Sequence, residues 1–482
     1  MTETSNETLS LALPWRILLA IAAGLLLTAG YALHPLWWTP WLAPIPFIVA
    51  ACGGPRHIWL MGALAGAVAT LSVLGYYFSQ SGAWIGTLLI VGLRIILWGG
   101  AARLVARANR HLPLGLAMFA LPLFVAAVET VVLMVSIHGA AGSLAYSQMD
   151  LPAVIQVASL GGVPLIDFVV LLPGTCLGLW LSRRRGAMDI TWALGIVGAV
   201  AVATGLYADL RLVAPQGGPK VHATMIATDR FDYIVKDWRK VWAVYAPQVA
   251  VSARAGGVVV LPEKIALLDP AQMPVAVADV GIMARQTRAT IMVGVEIHDQ
   301  TYHNRALVAA PDGSVTWYTK QRLVPGWEDR DVPGKTPVMV KVAGAPLGIA
   351  ICKDMHIPSI GREYAGATGI MAVSAWDFGQ DGWMGARMTQ MRGIESGYAI
   401  ARSARNGRVG AYDATGRILA EAVSSPGLMV VEADVPTQAQ PTVYGRFGNV
   451  FGLACCALLL VMLVSFFRKP DGGKQTYPAS KE

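Results

Sequence analysis

Apolar residues follow two different rhythms along this chain. Up to about residue 208 they run almost unbroken, in segments near 14–33, 36–54, 58–78, 84–104, 114–136, 163–182 and 190–208, and one more follows near 447–467. Each approaches the roughly 20 residues that an α-helix needs to cross the hydrocarbon layer of a bilayer. Eight membrane spans are therefore expected. Pro40, Pro44 and Pro46 interrupt the second, which is expected to be bent or partly re-entrant. The first fifteen residues are polar and acidic and lack a basic n-region and a small-residue cleavage site, so the first apolar segment is expected to remain as an anchor.

Between 209 and 446 the rhythm changes to short runs with turn signals between them. Strands are expected at 221–227, 257–261, 290–296, 338–342, 346–351 and 369–374, with further ones near 399–404, 409–411 and 428–432. Trp238, Val241, Trp242 and Tyr245 fall at helical spacing within 233–253, and helices are also expected at 270–287, 359–367 and 382–397. Runs 305–310 and 314–318 flank Pro311-Asp312-Gly313, a hairpin signal. This alternation predicts an α/β domain with layered sheets. The chain divides into an N-terminal membrane domain at 1–208 with about seven helices, an α/β domain at 209–446, a last membrane helix at 447–467 and a tail at 468–482.

Charge sharpens that division. Residues are 55% hydrophobic and only 14% charged, well below the usual quarter. Segment 209–446 holds 25 Lys/Arg and 22 Asp/Glu, leaving 13 and 8 for everything else. The basic excess lies beside hydrophobic segments, so the pI near 9.2 is no nucleic-acid signal. Eleven of those thirteen basic residues, among them Arg56, Arg103, Arg107, Arg110 and Arg183, fall on one side if the N-terminus is cytoplasmic and there are eight spans. The positive-inside rule then puts both termini in the cytoplasm and 209–446 outside, in the periplasm if the cell is a bacterium. Cys52, Cys176, Cys455 and Cys456 lie in hydrophobic segments as packing residues. Cys352 has no cysteine partner in its own domain.

Three polar residues end apolar strands. Glu263 follows Val258-Val259-Val260-Leu261-Pro262, Lys320 follows Trp317-Tyr318-Thr319, and Cys352 follows Gly348-Ile349-Ala350-Ile351. A carboxylate to take a proton, an ammonium to stabilise a thiolate and an oxyanion, and a thiol exposed at a strand's carboxyl end make a catalytic set if they meet. Taken singly, Glu263 and Lys320 read equally as solvated strand ends and Cys352 as a packing residue. His356 stands close to Cys352, but Glu263 already supplies a base. Tyr76, Tyr77 and Trp84 flank an external loop, as an interfacial belt or an acyl-chain guide, while Arg94, Glu129 and Asp167 lie within spans, where ionisable groups are costly. The sequence offers no metal-ligand cluster and no phosphate loop, so no cofactor is expected.

Leu261-Pro262-Glu263, Lys320-Gln321-Arg322-Leu323-Val324-Pro325 and Ile351-Cys352 resemble the Glu–Lys–Cys signature of the nitrilase superfamily. Placed between the last two of eight spans, that domain resembles the membrane-embedded apolipoprotein N-acyltransferase family. Gly142-Ser143-Leu144-Ala145-Tyr146-Ser147-Gln148 and Thr442-Val443-Tyr444-Gly445-Arg446-Phe447-Gly448 extend the likeness, and Glu328 stands where that family has a further acidic residue. The resemblance implies an α-β-β-α sandwich in the inner membrane, and acyl transfer from phospholipid through a Cys352 thioester to the N-terminal amine of a diacylglyceryl-cysteine apolipoprotein. It implies no cofactor. A membrane-tethered amidase, or a transferase to another amine, is the alternative. After the nucleophile this chain departs from the family: Lys353 and Asp354 replace an aromatic residue and Glu. Lys353 is expected to lower the thiol pKa, and Lys353, Asp354 and Glu328 to support the site. Trp376, in the variant stretch Ser374-Ala375-Trp376-Asp377-Phe378, joins Tyr76, Tyr77 and Trp84 as a candidate substrate contact.

Overall fold

The computed structural model describes residues 10–81, 84–183, 187–214 and 218–467. For residues 79–81, 84–85, 187–189 and 467 the description is of the backbone alone. The chain begins with α1 (Leu13–Gly30), α2 (Thr39–Leu42), α3 (Pro44–Cys52), α4 (Ile58–Ala69), α5 (Leu71–Ser81) and α6 (Trp84–His111). Then come α7 (Leu114–Ala117), α8 (Ala120–Val135), the short α9 (Pro152–Ile155) and α10 (Ala158–Gly161), α11 (Val163–Leu181) and α12 (Ala187–Val213).

All eight expected apolar segments contain helix. Among the described residues, five stretches are long and apolar enough to cross a membrane: Leu13–Gly30, Gly86–His111, Leu114–Val135, Val163–Leu181 and Ile190–Val213. The pair α4 and α5, bent by 48°, makes a sixth. Two segments are shorter than that, Thr39–Cys52 and Val450–Phe466. Proline explains the first, because Pro40 and Pro44 sit in the opening turns of α2 and α3, where a missing N–H costs nothing. The bend between α4 and α5 frees backbone carbonyls that water cannot reach in a bilayer. Thr70 Oγ1 donates to Ala67 O at 2.6 Å, and Arg94 Nη1, from α6, donates to Ala69 O at 3.2 Å. Helices α4 and α6 approach closely because Gly62 faces Trp98; a Cβ there would lie 2.2 Å from the Trp98 carbonyl oxygen.

The α/β part follows as β1 (Lys220–Ala227), α13 (Trp238–Ser252), β2 (Val258–Val260), β3 (Ala266–Leu268), α14 (Gln272–Thr287), β4 (Thr290–His298), β5 (Tyr302–Ala309) and β6 (Val315–Thr319). It continues with β7 (Val338–Val342), β8 (Ala345–Ile351), α15 (Pro358–Glu363), β9 (Ile370–Trp376), α16 (Gly382–Ser396), β10 (Ala399–Arg405), β11 (Arg408–Tyr412), β12 (Ile418–Val423) and β13 (Met429–Pro436). Helices α17 (Val443–Phe447) and α18 (Val450–Phe467) close the described chain.

One sheet has the order β13-β1-β2-β4-β5-β6, with β3 alongside β4; the other runs β12-β11-β10-β9-β8-β7. The period-2 pattern of the strands decides what each face buries. Val258 and Val260 point into the core between the sheets with Ile349 and Ile351, while Val259 and Leu261 point outward against α13 and α14. Residues of α15 pack on the far side of the second sheet. The result is an α-β-β-α sandwich. Helix α16 has every residue buried, because its other side meets the membrane part: Trp383, Met384, Met388, Met391 and Ile394 pack with Tyr146, Ile155 and Ile166. Glu395 of α16 accepts from Val163 N at 3.1 Å, at the N-terminus of α11.

Candidate active site

Strand β8 ends at Ile351, and Cys352 begins a turn of 3-10 helix with φ of 43°, a left-handed conformation that non-glycine residues rarely adopt. Asp354 holds this turn. It is buried and accepts from Ile351 N, Gln321 N, Arg322 N and the Tyr318 hydroxyl at 2.7–3.1 Å. Its carboxylate thus joins the Cys352 turn to the segment that follows Lys320. Burial raises its pKa to about 6 against those hydrogen bonds.

Glu263 and Cys352 hang from neighbouring carbonyls of β9. Glu263 N donates to Ala375 O at 3.3 Å, and the Cys352 thiol donates to Trp376 O at 3.7 Å. Lys320 Nζ donates to Glu263 Oε1 at 2.7 Å and to Glu328 Oε2 at 2.9 Å. Glu263, Lys320 and Cys352 are therefore one buried cluster, with Glu328 as its fourth member. Gly294 of β4 makes room for Glu263; a Cβ there would stand 2.6 Å from Glu263 Cα. Burial pulls the Lys320 pKa down, but Glu263 and Glu328 outweigh it and hold the ammonium well above its usual range. Burial opposes ionisation of Glu328, yet Lys320 and Lys264 keep it near 2.

The thiol departs from the expectation of an exposed, pre-formed thiolate. Cys352 is only 8% exposed, and burial and then Glu263 push its pKa well above normal, against the pull of Lys320. The surroundings of Cys352 thus favour the protonated thiol. Lys353 is buried too and donates to Leu323 O at 2.9 Å; burial and the neighbouring Lys320 bring its pKa down to about 8.

Two further residues belong to the cluster that the sequence did not single out. Asn304, fully buried on β5, donates its one amide nitrogen to Glu263 at 2.6 Å and to Glu328 at 2.7 Å. Lys264, with φ of 50°, reaches Glu296 at 3.0 Å, Glu328 at 3.1 Å and Asp331 at 2.8 Å. Among the described residues no group of three or more His, Cys, Asp or Glu is placed to hold a metal ion.

The Carbon-nitrogen hydrolase family model matches residues 194–441, more than half of the chain. Residues 23–176 match the Apolipoprotein N-acyltransferase N-terminal domain. An apolipoprotein N-acyltransferase of Geobacter metallireducens is 23% identical, over 94% of this chain and 95% of that one. The chain belongs to the carbon-nitrogen hydrolase family, as a divergent member of its apolipoprotein N-acyltransferase branch. A relative of the same description from Chromobacterium violaceum is 26% identical over 68% of each chain. An amidase from Nesterenkonia sp. superposes with a TM-score of 0.39 at 17% identity, covering 46% of this chain and 92% of that one.

In this carbon-nitrogen hydrolase fold the remaining candidates are placed as follows. Trp376 is half-buried beside Cys352, its ring under the Arg405 guanidinium at 3.4 Å. Tyr76 of α5 donates to Asp381 Oδ2 at 2.7 Å, and Asp381 also accepts from Phe378 N, so the bent span is tied to the loop after β9. Tyr77 packs beside Tyr76 with ring centroids 5.8 Å apart. The side chain of Trp84 lies outside the described residues. The His356 carbonyl accepts from Ala140 N at 2.9 Å, which brings the loop after α8 onto the Cys352 turn, while burial and Lys353 push the pKa of its imidazole well down. Arg94 packs over the Tyr31 ring at 4.2 Å.

Proposed function

We propose that this protein is a membrane N-acyltransferase that uses Glu263, Lys320 and Cys352 to move an acyl chain from phospholipid to the N-terminal amine of a diacylglyceryl-cysteine apolipoprotein. The reading rests above all on Lys320 bridging Glu263 and Glu328 beside a nucleophile turn that the membrane part packs against. Family membership supports the acyl transfer; the residue roles below are our own assignment.

Glu263 takes the Cys352 proton as the sulfur attacks the ester carbonyl, so charge forms only as it is used. Lys320 has three ammonium protons and spends two on Glu263 and Glu328. The third, with the backbone N–H of Lys353, stabilises the tetrahedral oxyanion. The ester C–O bond breaks, Glu263 returns the proton to the leaving alkoxide, and lysophospholipid departs from a Cys352 thioester. The apolipoprotein α-amine then attacks the thioester carbon and gives a proton to Glu263. The C–S bond breaks and Glu263 reprotonates the sulfur. Glu328 and Asn304 orient Lys320 and Glu263 throughout. Trp376, Tyr76 and Tyr77 flank the approach of the lipid. The site faces the outside of a bacterial inner membrane, with both termini in the cytoplasm.

The test is mass spectrometry of a synthetic diacylated lipopeptide incubated with the purified protein and phospholipid. A mass gain of one acyl chain on the peptide amine is expected. Unchanged peptide with released fatty acid would assign the protein to lipid hydrolysis instead.

A further inference from the structure

Glu263 and Lys264 are consecutive, yet both side chains enter the same buried cluster. In regular extended backbone they would point to opposite faces. Lys264 breaks that alternation with φ of 50°, a left-handed conformation that a non-glycine residue keeps only where its surroundings hold it. Arg405 is part of that hold. Its Nη2 donates to Lys264 O at 2.8 Å, and its Nη1 donates to Phe231 O at 3.4 Å and Tyr233 O at 3.2 Å.

Three carboxylates converge on the buried Lys264 ammonium. It donates to Asp331 Oδ2 at 2.8 Å and to Glu296 Oε1 at 3.0 Å, and it pairs with Glu328 Oε1 at 3.1 Å. Burial opposes the charge on Lys264, but Glu328, Glu296 and Asp331 outweigh it and raise its pKa. Glu296 has a second cation in Arg330 at 3.3 Å. Burial raises the pKa of Asp331 against the pull of Lys264.

Glu328 is the member of this group that touches the candidate site. Its Oε2 accepts from Lys320 Nζ at 2.9 Å and from Val324 N at 2.8 Å, and its Oε1 accepts from Asn304 Nδ2 at 2.7 Å while facing Lys264. Three donors and a second ammonium thus surround two oxygens. A proton on Glu328 would have no acceptor to point at and would displace one of them. Lys320, Lys264 and Lys353 face this carboxylate as cations and Asp331 as an anion, Glu296 stands across Lys264, and Glu263 shares the Lys320 and Asn304 donors with it. Without Lys264, Glu328 would face Asp331 and Glu296 directly, and carboxylates that meet at one ammonium would be left to share protons.

We infer that Lys264 is a positioning residue for acyl transfer: it keeps Glu328 ionised and aimed at Lys320, and so keeps Lys320 on Glu263 beside Cys352. Lys264 acts on the proposed Glu263–Lys320–Cys352 chemistry, on which this role rests, without touching the thiol or the lipid. A protonated Glu328 releases its hold on the Lys320 ammonium, whose third proton is then no longer aimed at the oxyanion. Burial opposes ionisation of Glu328, and with Lys320 and Lys264 both in place its pKa stays near 2. Loss of a cation in contact raises a carboxyl pKa by about 1–3 units, and the exposed charge of Asp331 and Glu296 adds to that. Glu328 then takes up a proton as pH falls toward about 5, where in the wild-type protein it is still ionised.

The test is the rate at which the purified full-length protein gains an acyl group from phospholipid, followed by intact mass without acceptor at about pH 7 and about pH 4.5. Each variant is read as a ratio to wild type at the same pH, which cancels groups that titrate alike in both proteins. The Lys264→Met ratio is expected to fall roughly 2- to 10-fold between the higher and the lower pH. Lys264→Arg, which keeps the charge, should restore a ratio that does not change with pH. Lys264→Met leaves buried carboxylates short of a cation, so Lys264→Gln with Asp331→Asn, which removes one charge of each sign, is measured beside it as a safeguard against failure to fold and carries the same expectation. A loss that is equal at both pH values would mark a purely structural role and overturn the inference, as would no loss at either. An acyl group absent from wild type at both pH values would overturn the proposed chemistry and this role with it, whereas a wild-type acyl group with a pH-independent ratio in the variants would overturn this role alone.

Discussion

Lys353 is a buried lysine one residue after the thiol. Buried beside Lys320 and bound to Leu323 O, it keeps its proton only up to about pH 8. As a cation there it favours charge developing on sulfur and on the oxyanion; as a neutral amine it does not. The rate of enzyme acylation should therefore fall as pH rises through about 8 in wild type, and Lys353→Arg should abolish that fall. Stability should move the other way. The folded value lies below the unfolded value of about 10.4, so between the two the unfolded chain binds more protons and stability rises with pH, by about 1–3 kcal/mol. Lys353→Met should flatten both profiles, read by stopped-flow acylation and by denaturant unfolding across pH 7–10. Asn304 gives a second prediction at this scale. Asn304→Leu removes the amide shared by two buried carboxylates, each such bond being worth about 1.5–3 kcal/mol. A loss of roughly 10- to 100-fold in kcat/KM is expected, with the fold retained by circular dichroism.

Much of the candidate site was legible at the level of residue types, because strand ends are marked by the change from apolar to polar. Glu263, Lys320 and Cys352 each follow such a run, and the structure brings them together. Asn304 and Lys264 left no such mark. Asn304 sits inside β5, and its partners are 41 and 24 residues away in sequence. Lys264 directly follows Glu263 and reads as a solvated charge until Glu296, Glu328 and Asp331 are seen around it. The upward push on the Cys352 pKa was equally hidden, since burial is a property of the fold and the sequence showed only a neighbouring cation.

At the scale of elements, strands with one strongly apolar face or buried on both faces were easy to read, and β12 was missed because Ile418–Val423 is largely exposed and carries Glu421 on an edge. Helix α12 runs to Val213, past the expected end at 208, because Asp209 and Arg211 are accommodated in its last turns. The short α9 and α10 carry too few residues to show a period. The tie between α5 and the loop after β9 is the element-level feature with the clearest consequence. Tyr76→Phe removes the hydroxyl that donates to Asp381. The KM for phospholipid is expected to rise roughly 3- to 30-fold, as one hydrogen bond to a charged group allows. Thermal unfolding should be little changed, and an unchanged KM would mean that this tie does not shape the lipid's approach.

At the scale of the whole molecule, the membrane and α/β parts are joined by packing as well as by chain. Helix α16 buries both its sides, and Glu395 meets the start of α11. Severing the two parts should leave the α/β part with an exposed apolar face of Trp383, Met384 and Met388 and a tendency to aggregate. The proposed sidedness has its own test. In sealed spheroplasts, protease added outside should cleave within 209–446 while a tag at the C-terminus stays protected; the reverse would invert the assigned orientation.

The central claim is that acyl transfer passes through Cys352. The most direct measurement is the intact mass of the purified protein after incubation with a phospholipid and no acceptor. A gain of one acyl chain, mapped to Cys352, removed by hydroxylamine and absent from Cys352→Ala, is the predicted result. No such adduct on wild type, or the same adduct on Cys352→Ala, would contradict it.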